Sequence, residues 1–253
     1  MADTTPDDAP KPKRGGFFDR VVDDATEAES VAAKVFVYDG GVRLWHWVNA
    51  LCIVILCVTG YLIASPPPSV PGEASENFLF GYIRMFHFAA GQVLAVMFLF
   101  RIIWAFVGNH HARQLFLPPV WSGQWWKEVL FEFRWYAFLE PDPKKYIGHN
   151  PLAQIAMFTL FVIPMVVMIF TGFALYAEGQ GTESWWFAVF GWVIFALGGN
   201  SFFVHTVHHV GMWVIILFTM VHIYAAIRED IMSRQSLVST MISGWRYFKD
   251  DKE

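Results

Sequence analysis

The chain is poor in charge. Asp, Glu, Lys and Arg make up 16% of its 253 residues, where an ordinary soluble domain carries about 25%. So few ions cannot keep a surface of that size wet, which excludes a soluble globule. Cysteine is nearly absent. Cys52 and Cys57 both lie in an apolar run, in neither a CxxC nor a CxxCH pattern. That excludes a disulfide scaffold, a zinc ribbon, a thioredoxin-like redox pair and covalent c-type haem attachment, and it leaves two buried, inert thiols. Basic excess is missing as well: a net charge of −4 offers nothing to nucleic acid.

What is abundant is apolar. Hydrophobic residues reach 55% and aromatics 18%, with 12 Trp and 25 Phe, so the lipid bilayer is the expected partner of the surface. Four runs approach or exceed the roughly 20 residues that cross a bilayer: 44–65, 85–107, 152–177 and 203–227. Arg101 is the single Asp, Glu, Lys or Arg inside them. The expected fold class is an all-α integral membrane protein with four transmembrane helices in a bundle. Ser184 to Gly198 is apolar but short, and it reads as a re-entrant or interfacial helix. A fifth span would send the basic C-terminal segment to the opposite side.

Positive charge orients these spans. No Lys or Arg occurs between Tyr146 and Ile227, or from Pro66 to Ile83. They gather instead in the N-terminal segment, in a middle loop holding Arg113, Lys127, Arg134, Lys144 and Lys145, and from Arg228 onward. The positive-inside rule then makes both termini and the middle loop cytoplasmic, with the loops around Glu73 and Glu183 outside. Residues 1–34 hold five Lys/Arg and eight Asp/Glu without apolar periodicity, so they read as a disordered cytoplasmic tail. Residues 35–233 form the membrane domain, and 234–253 a cytoplasmic C-terminal tail. Within the middle loop, about 121–139, apolar residues at 126, 129, 130, 133 and 136 follow helical spacing, which predicts an amphipathic helix lying on the membrane surface. Gly60, Gly91, Gly172 and Gly211 fall inside the spans, where small residues permit close helix packing or a flat ligand between helices.

Histidine carries the chemistry. Of nine, six sit inside or at the ends of spans: His46, His87, His205, His208, His209 and His222. Ionisable groups in lipid mark function. His46 and His222 lie near the cytoplasmic ends of spans one and four, His87 and His208 near the outer ends of spans two and four. His208 and His222 are 14 residues apart, which is about 21 Å of rise and within about 40° of one face. His205 and His209 are further out of phase, though His205 remains a substitute for His208. Opposed imidazoles at one depth suit a planar metal macrocycle with both axial positions filled, and helical bundles hold such cofactors between facing side chains. The expected metal ligands are therefore His46, His87, His208 and His222, axial to two haems. Arg84 and Arg101 are placed for haem propionates or for lipid phosphates. His205-Thr-Val-His208-His209 also forms one HxxHH box of the kind found in membrane di-iron oxygenases. Those enzymes need several such boxes on the cytoplasmic side, and zinc lacks its Cys and carboxylate ligands here.

These residues sit in an order that resembles the b-type cytochrome subunit of membrane-bound NiFe hydrogenases. The resemblance runs from about Val35 to Trp245. It is carried by VRLWHWVNALC (42–52), GEASENFLFGYIRMFHF (72–88), RIIWAFVGN (101–109), IGHNPLAQIAMF (147–158), TGFALY (171–176), GGNSFFVHTVHHVGMW (198–213) and HIYAAIREDIMS (222–233). Cytochrome b subunits of formate dehydrogenase-type complexes share the general plan. The resemblance implies a multi-pass subunit of the bacterial inner membrane that binds two haem b and docks to the hydrogenase small subunit, and through it to the large subunit. Electrons would leave the small subunit's iron–sulfur chain, reach His87/His208, then His46/His222, then a membrane quinone. It implies an electron-transfer subunit with no hydrogen-activating site of its own. His149, at the entry to span three, is either a helix-entry residue or a group for quinone or proton uptake.

Overall fold

A computed structural model describes residues 34–68 and 77–248. The expected N-terminal tail, apart from Lys34, lies outside the described residues, as do 69–76 of the loop after the first span. Strand β1 (Lys34–Phe36) leads into four long helices: α1 (Gly40–Ala64), α2 (Leu79–Val107), α4 (Pro151–Gln180) and α6 (Ser201–Met232). Each is long and apolar enough to cross a membrane. Between α2 and α4 lie a single 3-10 turn (His110–Arg113) and α3 (Gly123–Tyr136). An apolar segment, α5 (Trp185–Ala196), joins α4 to α6, and α7 (Leu237–Ser243) and β2 (Trp245–Tyr247) close the chain.

The helices outrun the apolar stretches that announce them: α2 starts six residues before Met85, and α6 continues past Ile227 to Met232. Charge marks the edge of the bilayer and does not end a helix, because backbone hydrogen bonds continue into water. Side-chain caps set several starts. Asp39 accepts from the Val42 amide at 3.1 Å and from the Trp104 indole at 2.8 Å, so the cap of α1 also pins the end of α2. Asn150 caps α4 with Pro151 in its first turn, where a missing amide hydrogen costs nothing. In α4, Phe158–Val162 form one π turn just before Pro164.

The four helices meet along one apolar seam that includes Trp45, Cys52, Leu94, Phe98, Phe161, Met165 and Ile215. Outward faces are apolar too: Leu51, Val96, Phe106 and Leu217 are each more than half exposed. An apolar belt of this extent belongs in lipid. Segment α5 breaks at Gly191 into two short pieces. It packs against α4 through Phe173 and Phe190, with ring centroids 4.9 Å apart, and does not cross the bundle.

The stretch read as a C-terminal tail is structured as far as Phe248. β2 pairs antiparallel with β1, Val35 opposite Arg246, around Gly244, whose φ of +84° suits glycine. This clasp sits at the end of the bundle where the described residues begin and end and where α3 lies, the terminal end. The end carrying α5 is the distal end. Beside the clasp, Arg246 is buried and donates to the Tyr146 carbonyl at 2.7 Å and the Gly148 carbonyl at 2.8 Å.

Candidate haem-binding sites

Two histidine pairs face each other across the bundle. At the terminal end, His46 of α1 and His222 of α6 have ring centroids 6.4 Å apart. At the distal end, His87 of α2 and His208 of α6 are 6.5 Å apart. A metal ion about 2 Å from one nitrogen of each ring holds opposed centroids roughly 6.3 Å apart, so both pairs have the span of an axial ligand set. Among the described residues no three His, Cys, Asp or Glu gather to hold a bare ion. The remaining ligands would have to come from a macrocycle.

The distal pair opens into a cavity of about 830 Å³ between α1, α2, α4 and α6, within the range of sites for sizeable organic ligands. Gly60, Gly91 and Gly172 line it, and Arg84 stands at its wall. A Cβ at Gly60 would come 3.2 Å from His87 Cε1, and one at Gly172 3.1 Å from His208 Cε1. A side chain at either position would press its ring aside by at least a few tenths of an ångström. His205 also borders the cavity, but its Nδ1 lies 3.0 Å from the Ser201 carbonyl. His209 Nε2 accepts from the Trp213 indole at 3.1 Å. The ring facing His87 is that of His208.

The terminal pair is packed among aromatics, with the His222 ring stacked on Phe218 at 5.5 Å. At the same end of the bundle, Arg101 is 2% exposed and donates through one nitrogen to the Ala112 carbonyl at 2.6 Å. Its Nε and Nη1, together with Trp45 Nε1 and Asn49 Oδ1, are buried with no hydrogen-bond partner among the described residues. Buried polar atoms are rarely left so. An anionic group entering this level would satisfy the guanidinium.

Two features escape a reading of the sequence. The first is a set of buried carboxyls under α3. The apolar face expected on the membrane is exposed, with Trp126, Leu130 and Phe133 about half or more accessible. The opposite face buries Glu128 and Glu132 between Trp125 and Trp135. Glu128 is paired with Lys144 at 2.8 Å and accepts from the Tyr146 hydroxyl at 3.0 Å. Burial, reinforced by the Glu229 carboxylate, pushes Glu132 up to about 8. His149 is at the same end, its ring 3.1 Å from the Tyr38 hydroxyl. Burial, then the Arg246 and Arg101 charges, pushes it down to about 3. That makes it a neutral imidazole fixed in the entry to α4.

The second feature is a pair of threonines. Thr59 Oγ1 lies 2.9 Å from His87 Nδ1, and Thr171 Oγ1 lies 2.8 Å from His208 Nδ1. The signal is present in the sequence as a Thr-Gly dipeptide in each of two spans, 59–60 and 171–172.

The fold and the paired imidazoles define a helical membrane protein built to hold a planar cofactor. The chain belongs to the family described as prokaryotic cytochrome b561, whose family model matches residues 37–244. A "Probable Ni/Fe-hydrogenase B-type cytochrome subunit" of Bradyrhizobium diazoefficiens is 61% identical over 243 residues, covering 96% of this chain and 98% of its own length. One of the same description from Azotobacter vinelandii is 62% identical, covering 90% of this chain and 95% of its own length. A "Probable Ni/Fe-hydrogenase 1 B-type cytochrome subunit" of Escherichia coli is 50% identical, covering 86% and 92%. Haem b is the cofactor of a b-type cytochrome, and the imidazole separations, the glycine-lined cavity and the unsatisfied Arg101 nitrogens fit it.

Proposed function

We propose that this chain is the di-haem cytochrome b subunit of a NiFe hydrogenase, anchoring a periplasm-facing enzyme in the bacterial inner membrane. It would pass electrons from the iron–sulfur small subunit to the quinone pool. The observation that carries this reading is the pairing of α6 with two different helices at two depths, His208 with His87 and His222 with His46. The hydrogenase names of its relatives support the partner. Haem ligated on both faces supplies reversible one-electron chemistry with no position open for substrate. The protein's part is then to hold two such groups in series and to keep water from them.

The distribution of Lys and Arg supports cytoplasmic termini, which makes the distal pair the outer one. His87 and His208 would bind the outer haem, with Arg84 at a propionate, and His46 and His222 the inner one, with Arg101 in the same role. Small-subunit docking belongs to the outer face, where α5 and the described ends of the loop after α1, 65–68 and 77–78, lie. Haem quantification on the purified full chain tests the reading. Two b-type haems per chain are expected, and one each in His87→Ala and His46→Ala. A wild-type chain with a single haem, or a His87→Ala variant keeping both, would refute the pairing.

A further inference from the structure

Each threonine hydroxyl beside the distal pair is already committed. Thr59 Oγ1 lies 2.6 Å from the Ile55 carbonyl, and Thr171 Oγ1 lies 2.7 Å from the Val167 carbonyl. A carbonyl only accepts and a hydroxyl has one hydrogen, so that hydrogen is spent on the helix backbone. What the hydroxyl turns toward the imidazole is a lone pair. His87 Nδ1 and His208 Nδ1, at 2.9 and 2.8 Å, must therefore be the donors. A neutral imidazole protonated at Nδ1 carries its lone pair on Nε2, the nitrogen left to bind metal. The arrangement occurs twice, on two different helices. Threonine holds Nδ1, and the glycine after it leaves room for Cε1, at 3.2 Å for Gly60 and 3.1 Å for Gly172.

The terminal pair is built otherwise. His46 Nδ1 is buried without a hydrogen-bond partner among the described residues, and the His222 ring lies against the Phe218 face.

The geometry assigns Thr59 and Thr171 as positioning residues that fix the Nε2-ligating tautomer of His87 and His208 and hold the outer haem at a lower midpoint potential than the inner one. This rests on His87 and His208 being its axial ligands. An acceptor on Nδ1–H makes the imidazole a stronger donor to iron. Stronger donation favours the more highly charged ferric state, which lowers the potential. With two such bonds at the outer site and none at His46 Nδ1, transfer from outer to inner runs downhill. The threonines thereby give the pair of sites a direction.

The test is a redox titration of both haems in the detergent-purified full chain, with electron paramagnetic resonance of the ferric low-spin signals. Wild type is compared with Thr59→Val, Thr171→Val, Thr59→Ser and His87→Ala. Valine keeps the shape and removes the acceptor, and serine restores it. The haem lost in His87→Ala is expected to be the lower-potential one. Each valine variant is expected to raise that same midpoint by about 59 mV or more, a tenfold or larger change in a one-electron equilibrium. Its ferric g values should move as well, while Thr59→Ser stays at wild type. Loss of the outer haem in Thr59→Val with recovery in Thr59→Ser supports the same role. Non-recovery by serine, or unmoved midpoints in both valine variants, overturns it while leaving the ligand assignment intact. A His87→Ala chain that retains both haems overturns the ligand assignment, and this inference with it.

Discussion

The Arg101 guanidinium lies 5.2 Å over the ring of Trp45, the residue before His46, so a buried cation sits at the terminal end of the bundle, the end that holds the His46–His222 pair. Arg101 is a deliberate burial, since an unpaired guanidinium away from water costs several kcal/mol. Arg101→Gln is expected to lower occupancy of the inner haem and, in chains that retain it, to lower its midpoint, because a nearby cation favours the ferrous state. The outer haem should be unaffected. Haem stoichiometry and a redox titration of the variant check both statements.

In the proposed assignment the HxxHH box contributes one ligand, His208, and two bystanders, His205 and His209. His205→Ala and His209→Ala are expected to retain two haems per chain, and His208→Ala one. Pyridine haemochrome assays on the three purified variants decide it.

Two glycines lie in tight contact with the distal rings, and a branched side chain there would reach further than a Cβ. Gly60→Val and Gly172→Val are expected to displace the rings of His87 and His208 and to cut outer-haem occupancy several-fold, leaving the inner haem in place. Gly81→Ala, where an added Cβ meets nothing within 4 Å, is the matched control and should bind both.

Glu132 makes stability fall with pH. Its carboxyl is pushed from 4.5 to about 8 in the fold, so the native chain holds a proton that the unfolded chain releases. The stability linked to that proton is fully present below about pH 4.5 and is lost as pH rises through about 8. Melting temperatures in detergent should drop across that window for the wild type. Glu132→Gln, neutral at every pH, should flatten the drop and melt higher than wild type above pH 8.

Much of this molecule is legible in its sequence because lipid imposes a coarse rule. Runs without charge locate α1, α2, α4 and α6, and the 14-residue step from His208 to His222 indicates that one helix serves two levels. The clasp between β1 and β2 is not legible. Three residues per strand are too few to show alternation, and the partners Val35 and Arg246 are about two hundred positions apart. The buried face of α3 is hidden for a different reason. Glu128 and Glu132 look like the wet side of an amphipathic helix until Tyr146 and Glu229, from distant segments, are brought against them. Thr59 and Thr171 are visible as residues but silent as hydrogen-bond partners, because their role depends on a carbonyl four positions back and a ring on another helix.

The π turn at Phe158–Val162 makes α4 tolerant of length at one place only. A π turn takes up one extra residue without changing the helical phase of the residues beyond it. Removing one residue there should leave a plain α-helix with Thr171 still aimed at His208. Removing one between Met165 and Thr171 turns everything beyond it by about 100° and swings the hydroxyl away from the imidazole. Single-residue deletions should thus be neutral within the π turn, while one between Met165 and Thr171 should disturb the outer haem, by a shifted midpoint or by its loss.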